Sequence, residues 1–223
     1  MSLPLVVLPF SYNSPKRNME IDTLLAEKSL KTNQAFFRFY GWKTLSVSLG
    51  YSQKGLLEKY QRKDIETVIR PTGGGALIHG WDISYCLTLP PGIFKNHFQL
   101  YKFVSLVFIK TFKRLGVKEV AFSRNKKGLY RRVQLCSLFP TFGEVVFKNR
   151  KLVASASRTF EDGNMLIHGT VYIHYNFPKA EKIFEVTQEV LKNTVATLSE
   201  IKIKRKLFME TFLEVLRMDI RNL

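Results

Sequence analysis

Three adjacent glycines, Gly73-Gly74-Gly75, stand between Arg70-Pro71-Thr72 and the apolar run Ala76-Leu77-Ile78-His79. Glycine has no Cβ, tolerates positive φ and leaves its N–H groups open, so the spelling describes a loop whose backbone can approach a ligand before a strand takes over. Arg70 sets a fixed charge at the loop's entry and His79 a titratable ring at its exit. A tight turn between strands would be spelled the same way. The stretch is neither a Walker loop nor a G-x-G-x-x-G fingerprint.

The flanking pattern shows what the loop joins. Ile83, Tyr85, Leu87 and Leu89 alternate with Ser84, Cys86 and Thr88, the period of a strand with two distinct faces. Upstream, Met19, Ile21, Leu24 and Leu25 predict an amphipathic helix over 17–30, Leu5 to Leu8 a strand, and 35–40 with 44–49 a hairpin around Gly41-Trp42-Lys43. Leu100, Tyr101, Val104, Val107, Phe108, Phe112 and Leu115 repeat at three and four residues and predict a helix closed by Gly116. Strands are expected at 118–122, 143–148, 150–156 and 165–175, then helices around 183–191 and 207–216. Helices grouped around runs of strands, without strict βαβ alternation, indicate an α+β fold with a mixed, mainly antiparallel sheet flanked by helices.

The 223 residues suffice for one domain, and 45% hydrophobic composition supports a packed core. No apolar run reaches the ~18 residues of a membrane span and no secretory signal is evident, so a cytoplasmic protein is expected. Cys86 and Cys136 are too few for a disulfide framework, and His79, His97, His168 and His174 lack metal-ligand spacing, so no metal site is expected. Thirty-five Lys+Arg against 18 Asp+Glu give a net charge of +17, which draws acidic partners. Basic clusters lie at Arg124 to Lys127 with Arg131 and Arg132, and at Lys202, Lys204, Arg205 and Lys206. They read equally as a solvated face or a docking surface, and nucleic acid is disfavoured because no recognition helix or zinc finger accompanies them.

Four segments, taken in order, resemble the biotin/lipoate protein ligase superfamily over residues 18–175. Asn18-Met19-Glu20-Ile21-Asp22 is similar to the family's first-helix signature, and Arg38 to Gln53, with Trp42 and Leu49-Gly50-Tyr51-Ser52-Gln53, resembles its strand pair ending in Leu-Gly-x-x-Gln. Arg70 to Tyr85 resembles its ligand loop. Lys151-Leu-Val-Ala-Ser155-Ala156-Ser-Arg158, followed by His168-Gly169-Thr170, resembles the catalytic-lysine segment and its partner strand. Cys136-Ser-Leu-Phe-Pro140-Thr141-Phe-Gly-Glu144 is similar to the Cys-x-x-x-Pro-Ser/Thr-x-x-Glu segment of the Gram-positive-type octanoyltransferases.

The resemblance implies a biotin/lipoate ligase-like catalytic domain over residues 1–223, without an accessory C-terminal domain. It implies transfer of octanoate from octanoyl-acyl carrier protein, through a thioester on Cys136 assisted by Lys151, to the lysine of a lipoyl domain. Glycine cleavage H protein and 2-oxoacid dehydrogenase E2 are such acceptors. Arg70, Gly73, Gly74, Gly75, His79, Ser155, Ala156, His168 and Gly169 are the expected substrate-binding residues. The transferase would need no cofactor. The alternative is a lipoate-protein ligase using ATP and Mg, for which Gly75, where the transferases often carry arginine, speaks. Ala154 and Gly143 also depart from the transferase pattern. Cys86 is expected in the core, His174 in a structural place, and a monomer is the default.

Overall fold

A computed structural model describes residues 3–61, 65–124, 135–138, 140 and 143–223. The chain runs from β1 (Leu5–Asn13) through α1 (Pro15–Thr32), β2 (Ala35–Trp42), β3 (Ser46–Leu49), α2 (Leu57–Gln61), β4 (Glu66–Ile69) and β5 (Leu77–His79) to β6 (Asp82–Leu89). It continues as α3 (His97–Arg114), β7 (Val120–Phe122), β8 (Val145–Phe147), β9 (Arg150–Thr159) and β10 (Met165–Tyr172). The end is helical, with α4 (Phe177–Phe184), α5 (Gln188–Thr194) and α6 (Arg205–Ile220). Among the described residues the strands form a large sheet, β1-β2-β6-β10-β9-β8-β7, and a small one, β4-β3-β5. Only β1/β2 and β3/β4 pair parallel, so the expected mixed, mainly antiparallel α+β architecture is found.

The alternation along β6 separates two environments. Ile83, Tyr85, Leu87 and Leu89 join Phe37 and Phe39 of β2 in the main core under α3 and α6, where Phe108 packs 4.6 Å from Phe212. Asp82, Ser84, Cys86 and Thr88 point to the opposite face, which α1 covers; Cys86 is fully buried there and Thr88 bonds the Leu25 carbonyl. α3 begins at Asn96, whose side chain accepts from the Gln99 N–H, and ends where Gly116 turns to φ +85°.

Four expectations need correction. The 35–49 hairpin does not form: β2 already has β1 on one side and β6 on the other, leaving no edge, and β3 crosses to the small sheet between β4 and β5. The helix expected around 183–191 is two helices, broken where Glu185 adopts φ +58° and Thr187 caps the Val190 N–H. On α1 the buried stripe is Asn18, Met19, Asp22, Leu25, Ala26 and Ser29, while Leu24 is 51% exposed. Polar residues therefore occupy half of the face that an apolar count would assign to the core. The strand expected over 165–175 stops at Tyr172, and His174 is exposed.

Candidate active site

Two buried chains of hydrogen bonds brace the glycine loop. In the first, Asp22 Oδ2 meets His168 Nδ1 at 2.8 Å and His168 Nε2 meets Thr72 Oγ1 at 2.7 Å. Burial pushes Asp22 up, yet the Arg38 guanidinium and His168 outweigh it and hold the carboxyl below its usual range. Arg38 reaches Asp22 through Nε at 2.9 Å and through a second nitrogen at 2.6 Å. Burial lowers His168 against the pull of Asp22, so its ring is neutral near pH 7. Nδ1 then donates to the carboxylate and Nε2 accepts the Thr72 hydroxyl proton.

In the second chain, Asp82 Oδ2 lies 2.9 Å from His79 Nδ1, and His79 Nε2 lies 2.8 Å from Ser48 Oγ. Asp82 also accepts from the Gly80 N–H at 2.9 Å and the Ser84 hydroxyl; burial would raise it, but His79 first, then Thr170 and the Gly80 N–H, outweigh burial and hold it below its usual range. The His79 ring stacks on Trp42, centroids 3.9 Å apart. Ser48 accepts from Arg70, whose remaining donors take the Gly73 carbonyl at 2.7 Å and the Gly75 carbonyl at 2.8 Å. Both hydroxyls are buried, Ser48 at 2% and Thr72 at 1% exposure, so these chains hold the loop in shape rather than present nucleophiles. Arg70, expected as a charge for the ligand, spends its guanidinium on the loop's carbonyls.

The cysteine segment lies directly on this loop. Cys136 N–H donates to the Ala76 carbonyl at 2.9 Å, and Ala76 and Leu135 form a parallel bridge. A Cβ on Gly75 would sit 2.7 Å from the Cys136 backbone nitrogen, so the third glycine is what permits the approach. Lys151 comes from β9 just past a two-residue turn, Lys148-Asn149, in which both residues take positive φ, the geometry of a tight hairpin. Its Nζ lies 3.6 Å from Cys136 Sγ and 2.8 Å from Glu144 Oε2, and it donates to the Cys136 carbonyl. Burial would lower Lys151, but Cys136 and Glu144 beside it raise its pKa and fix it as an ammonium.

A narrow pocket, about 390 Å³ when the open space at its mouth is counted, opens on these groups. Cys136, Arg70, Gly74, His79, Ser155, Ala156, His168 and Gly169 all line it, together with the apolar Met19, Tyr40, Trp42 and Leu77. Lys151 lies behind Cys136, Gly73 faces solvent, and Gly75 supports the cysteine. Ser155 is positioned by the Tyr85 hydroxyl at 2.6 Å, and a Cβ on Gly169 would strike the Ala154 carbonyl at 2.0 Å. Sequence reasoning missed Asp22, Arg38, Ser48, Thr72 and Asp82 as site supports. The signal they carried was their place in the segments that resemble the family: Asp22 in the first-helix signature, Arg38 and Ser48 in the strand pair, Thr72 and Asp82 in the ligand loop. Thr141 and the basic residues from 126 to 132 lie outside the described residues. Among the described residues no cluster of His, Cys, Asp and Glu could hold a metal ion.

The chain is similar to known proteins in sequence and in fold. An octanoyltransferase LipM of Anoxybacillus flavithermus is 27% identical over 210 residues, covering 84% of this chain and 75% of the relative. The octanoyltransferase LipM of Bacillus subtilis is 28% identical over 214 residues, covering 86% and 76%. Among solved structures, a lipoate-protein ligase A bound with ATP superposes with a TM-score of 0.78 at 15% identity, over 99% of this chain and 86% of that one, a likeness of fold. The family description "Lipoyl protein ligase A/B catalytic domain" matches residues 14–220, and the chain belongs to that family.

Proposed function

We propose that this protein is an octanoyl-acyl carrier protein:protein N-octanoyltransferase of protein lipoylation, working as a single catalytic domain. The observation that carries the reading is the Lys151 ammonium 3.6 Å from Cys136 Sγ at the mouth of an apolar pocket. The sulfur is the nucleophile, and the ammonium stands beside it. Cys136 attacks the acyl thioester of the donor, the new S–C bond forms, and the carrier thiol leaves with the proton. The acceptor lysine of a lipoyl domain then enters as the free amine and attacks the Cys136 thioester. The amide bond forms, and the amine's proton ends on the released Cys136 thiolate.

Each residue has a part in these steps. Loop N–H groups around Gly74 and the Lys151 ammonium are the donors available to the oxyanion of each tetrahedral intermediate. Met19, Tyr40, Trp42 and Leu77 receive the octanoyl chain, each buried methylene contributing about 0.8 kcal/mol. Neither step consumes a nucleotide. The net charge of +17 speeds encounter with acidic carrier and lipoyl domains. No described helix is long and apolar enough to cross a membrane.

Gly75, the residue that speaks for a ligase, has a structural reason here, since it admits the Cys136 backbone. Intact-protein mass spectrometry after incubation with octanoyl-acyl carrier protein tests the reading. The expected result is one octanoyl adduct, lost in Cys136→Ser and passed to an added lipoyl domain without ATP. Acylation of the lipoyl domain that requires ATP and survives Cys136→Ser would establish the ligase instead.

A further inference from the structure

A second groove, about 1200 Å³ and open to solvent, runs beside the N-terminal half of α1 and shares Met19 and Arg70 with the acyl pocket. It is lined by the exposed cations Lys16, Arg17, Lys54 and Arg158 and by apolar surface, the half-buried Val68 and Ile69 with the exposed Leu24 beside them. Glu20, the one acid lining it, is taken by Arg17 at 3.3 Å. Lys16, Lys54 and Arg158 have no carboxylate partner among the described residues. Two of these cations are held in place: Lys54 Nζ sits 4.0 Å above the Tyr51 ring, and Arg158 lies 5.9 Å from the same ring while donating to the Pro71 carbonyl at 3.1 Å. The positive charge is thus organised around one aromatic ring at the edge of the glycine loop.

We propose that this groove binds the phosphopantetheine arm of the acyl donor, an inference that rests on the transferase reading above. The arm has the chemistry the groove offers to meet. Its phosphodiester is an anion for Lys16, Lys54 and Arg158, and its dimethyl and amide segments suit apolar surface beside charged side chains. Its thioester end must reach Cys136, and the wall shared at Met19 and Arg70 makes the groove and the acyl pocket neighbours. The acceptor side chain is a lysine, which brings no anion and which three unpaired cations repel.

Calorimetry with the full chain tests this, using 4′-phosphopantetheine and pantetheine as probes. Wild-type protein binds the phosphorylated probe about tenfold tighter, with the preference fading at high salt because exposed charges are screened. Lys16→Met/Lys54→Met removes the preference and leaves pantetheine binding unchanged. In the acyl-transfer assay the same variant raises KM for octanoyl-phosphopantetheine about tenfold and leaves kcat, and KM for octanoyl-pantetheine, within twofold. Equal binding of both probes by the wild type overturns the proposal. So does a variant whose only defect is a higher KM for the lipoyl domain, or one whose only loss is salt-sensitive RNA binding. A phosphate preference without any acylation of Cys136 keeps the groove and sinks the transferase.

Discussion

Asp22→Asn keeps the shape of a buried side chain and removes its charge, and the loss falls on three partners at once. Asp22 accepts from the 2%-exposed Arg38 at 2.9 and 2.6 Å, from His168 Nδ1 at 2.8 Å and from the Tyr40 hydroxyl at 3.1 Å. At 2.6 Å and an effective dielectric of about 20, the bare attraction to Arg38 is about 6 kcal/mol, most of which desolvation of both groups already cancels. What the variant exposes is the other half of that balance, a guanidinium left buried without its counter-charge, at about 3–5 kcal/mol. Against a folding free energy of about 5–15 kcal/mol this is a large share, and at about 2–4 °C per kcal/mol it lowers Tm by roughly 6–20 °C. Urea denaturation followed by circular dichroism measures it, with Asp22→Leu/Arg38→Met as the control that removes both charges. The double variant should recover much of the single variant's loss. Acid adds a second readout. Asp22 and His168 both titrate lower in the folded chain than in the unfolded one, so their contribution is complete above about pH 6.5 and disappears as pH falls through the folded values. In the carboxylate range the wild type should therefore lose stability more steeply than Asp22→Asn, whereas just below pH 6.5 the variant loses more, because His168 without the carboxylate is lowered further by burial. A single variant within about 1 kcal/mol of wild type at pH 7.5, or a double variant whose loss is the sum of the two singles, refutes the reasoning.

Three further outcomes follow from the same geometry. Gly75→Ala pushes a methyl against the Cys136 nitrogen, so formation of the Cys136 thioester should slow about 100-fold while octanoate analogues still bind; an unchanged rate by stopped-flow mass spectrometry contradicts the close approach. Glu144→Gln leaves Lys151 with burial lowering its pKa and one fewer partner raising it. The ammonium is lost as pH rises, so the alkaline limb of Cys136 acylation should move to lower pH, and a limb that stays in place rules out the ammonium's role. Replacing Leu77 by Trp, inside the acyl pocket, should shift donor preference from octanoyl toward shorter chains in a competition assay, and an unaltered preference excludes that pocket as the acyl site.

Much of this was legible in the sequence where one residue's environment is set by its neighbours along the chain. The two faces of β6 follow from strict alternation, and the end of α3 from Gly116, because period and backbone freedom are local properties. Cys136, Lys151 and the glycines came together because their motif spacing carries a fold with it. The bracing chains were hidden for a physical reason. Asp22 and Arg38 each look like solvated charges on an amphipathic element, and only their meeting across 16 residues makes both burial and charge affordable. The absent hairpin has the same origin: Gly41-Trp42-Lys43 permits a turn, but β1, pairing parallel with β2, had already claimed the edge.

The turn at Lys148-Asn149 has a consequence for how this chain can vary. Successive strand residues face opposite ways, so a residue inserted or deleted between β8 and β9 and taken up as a one-residue slip of β9 would swing Lys151 from the cysteine to the far side of the sheet. Substitutions there cost at most the strain of two left-handed residues, whereas a change of length disconnects the ammonium from the thiol. Lineages of this protein should therefore drift in the letters of that turn and keep its count, a reading frame enforced by geometry rather than by identity.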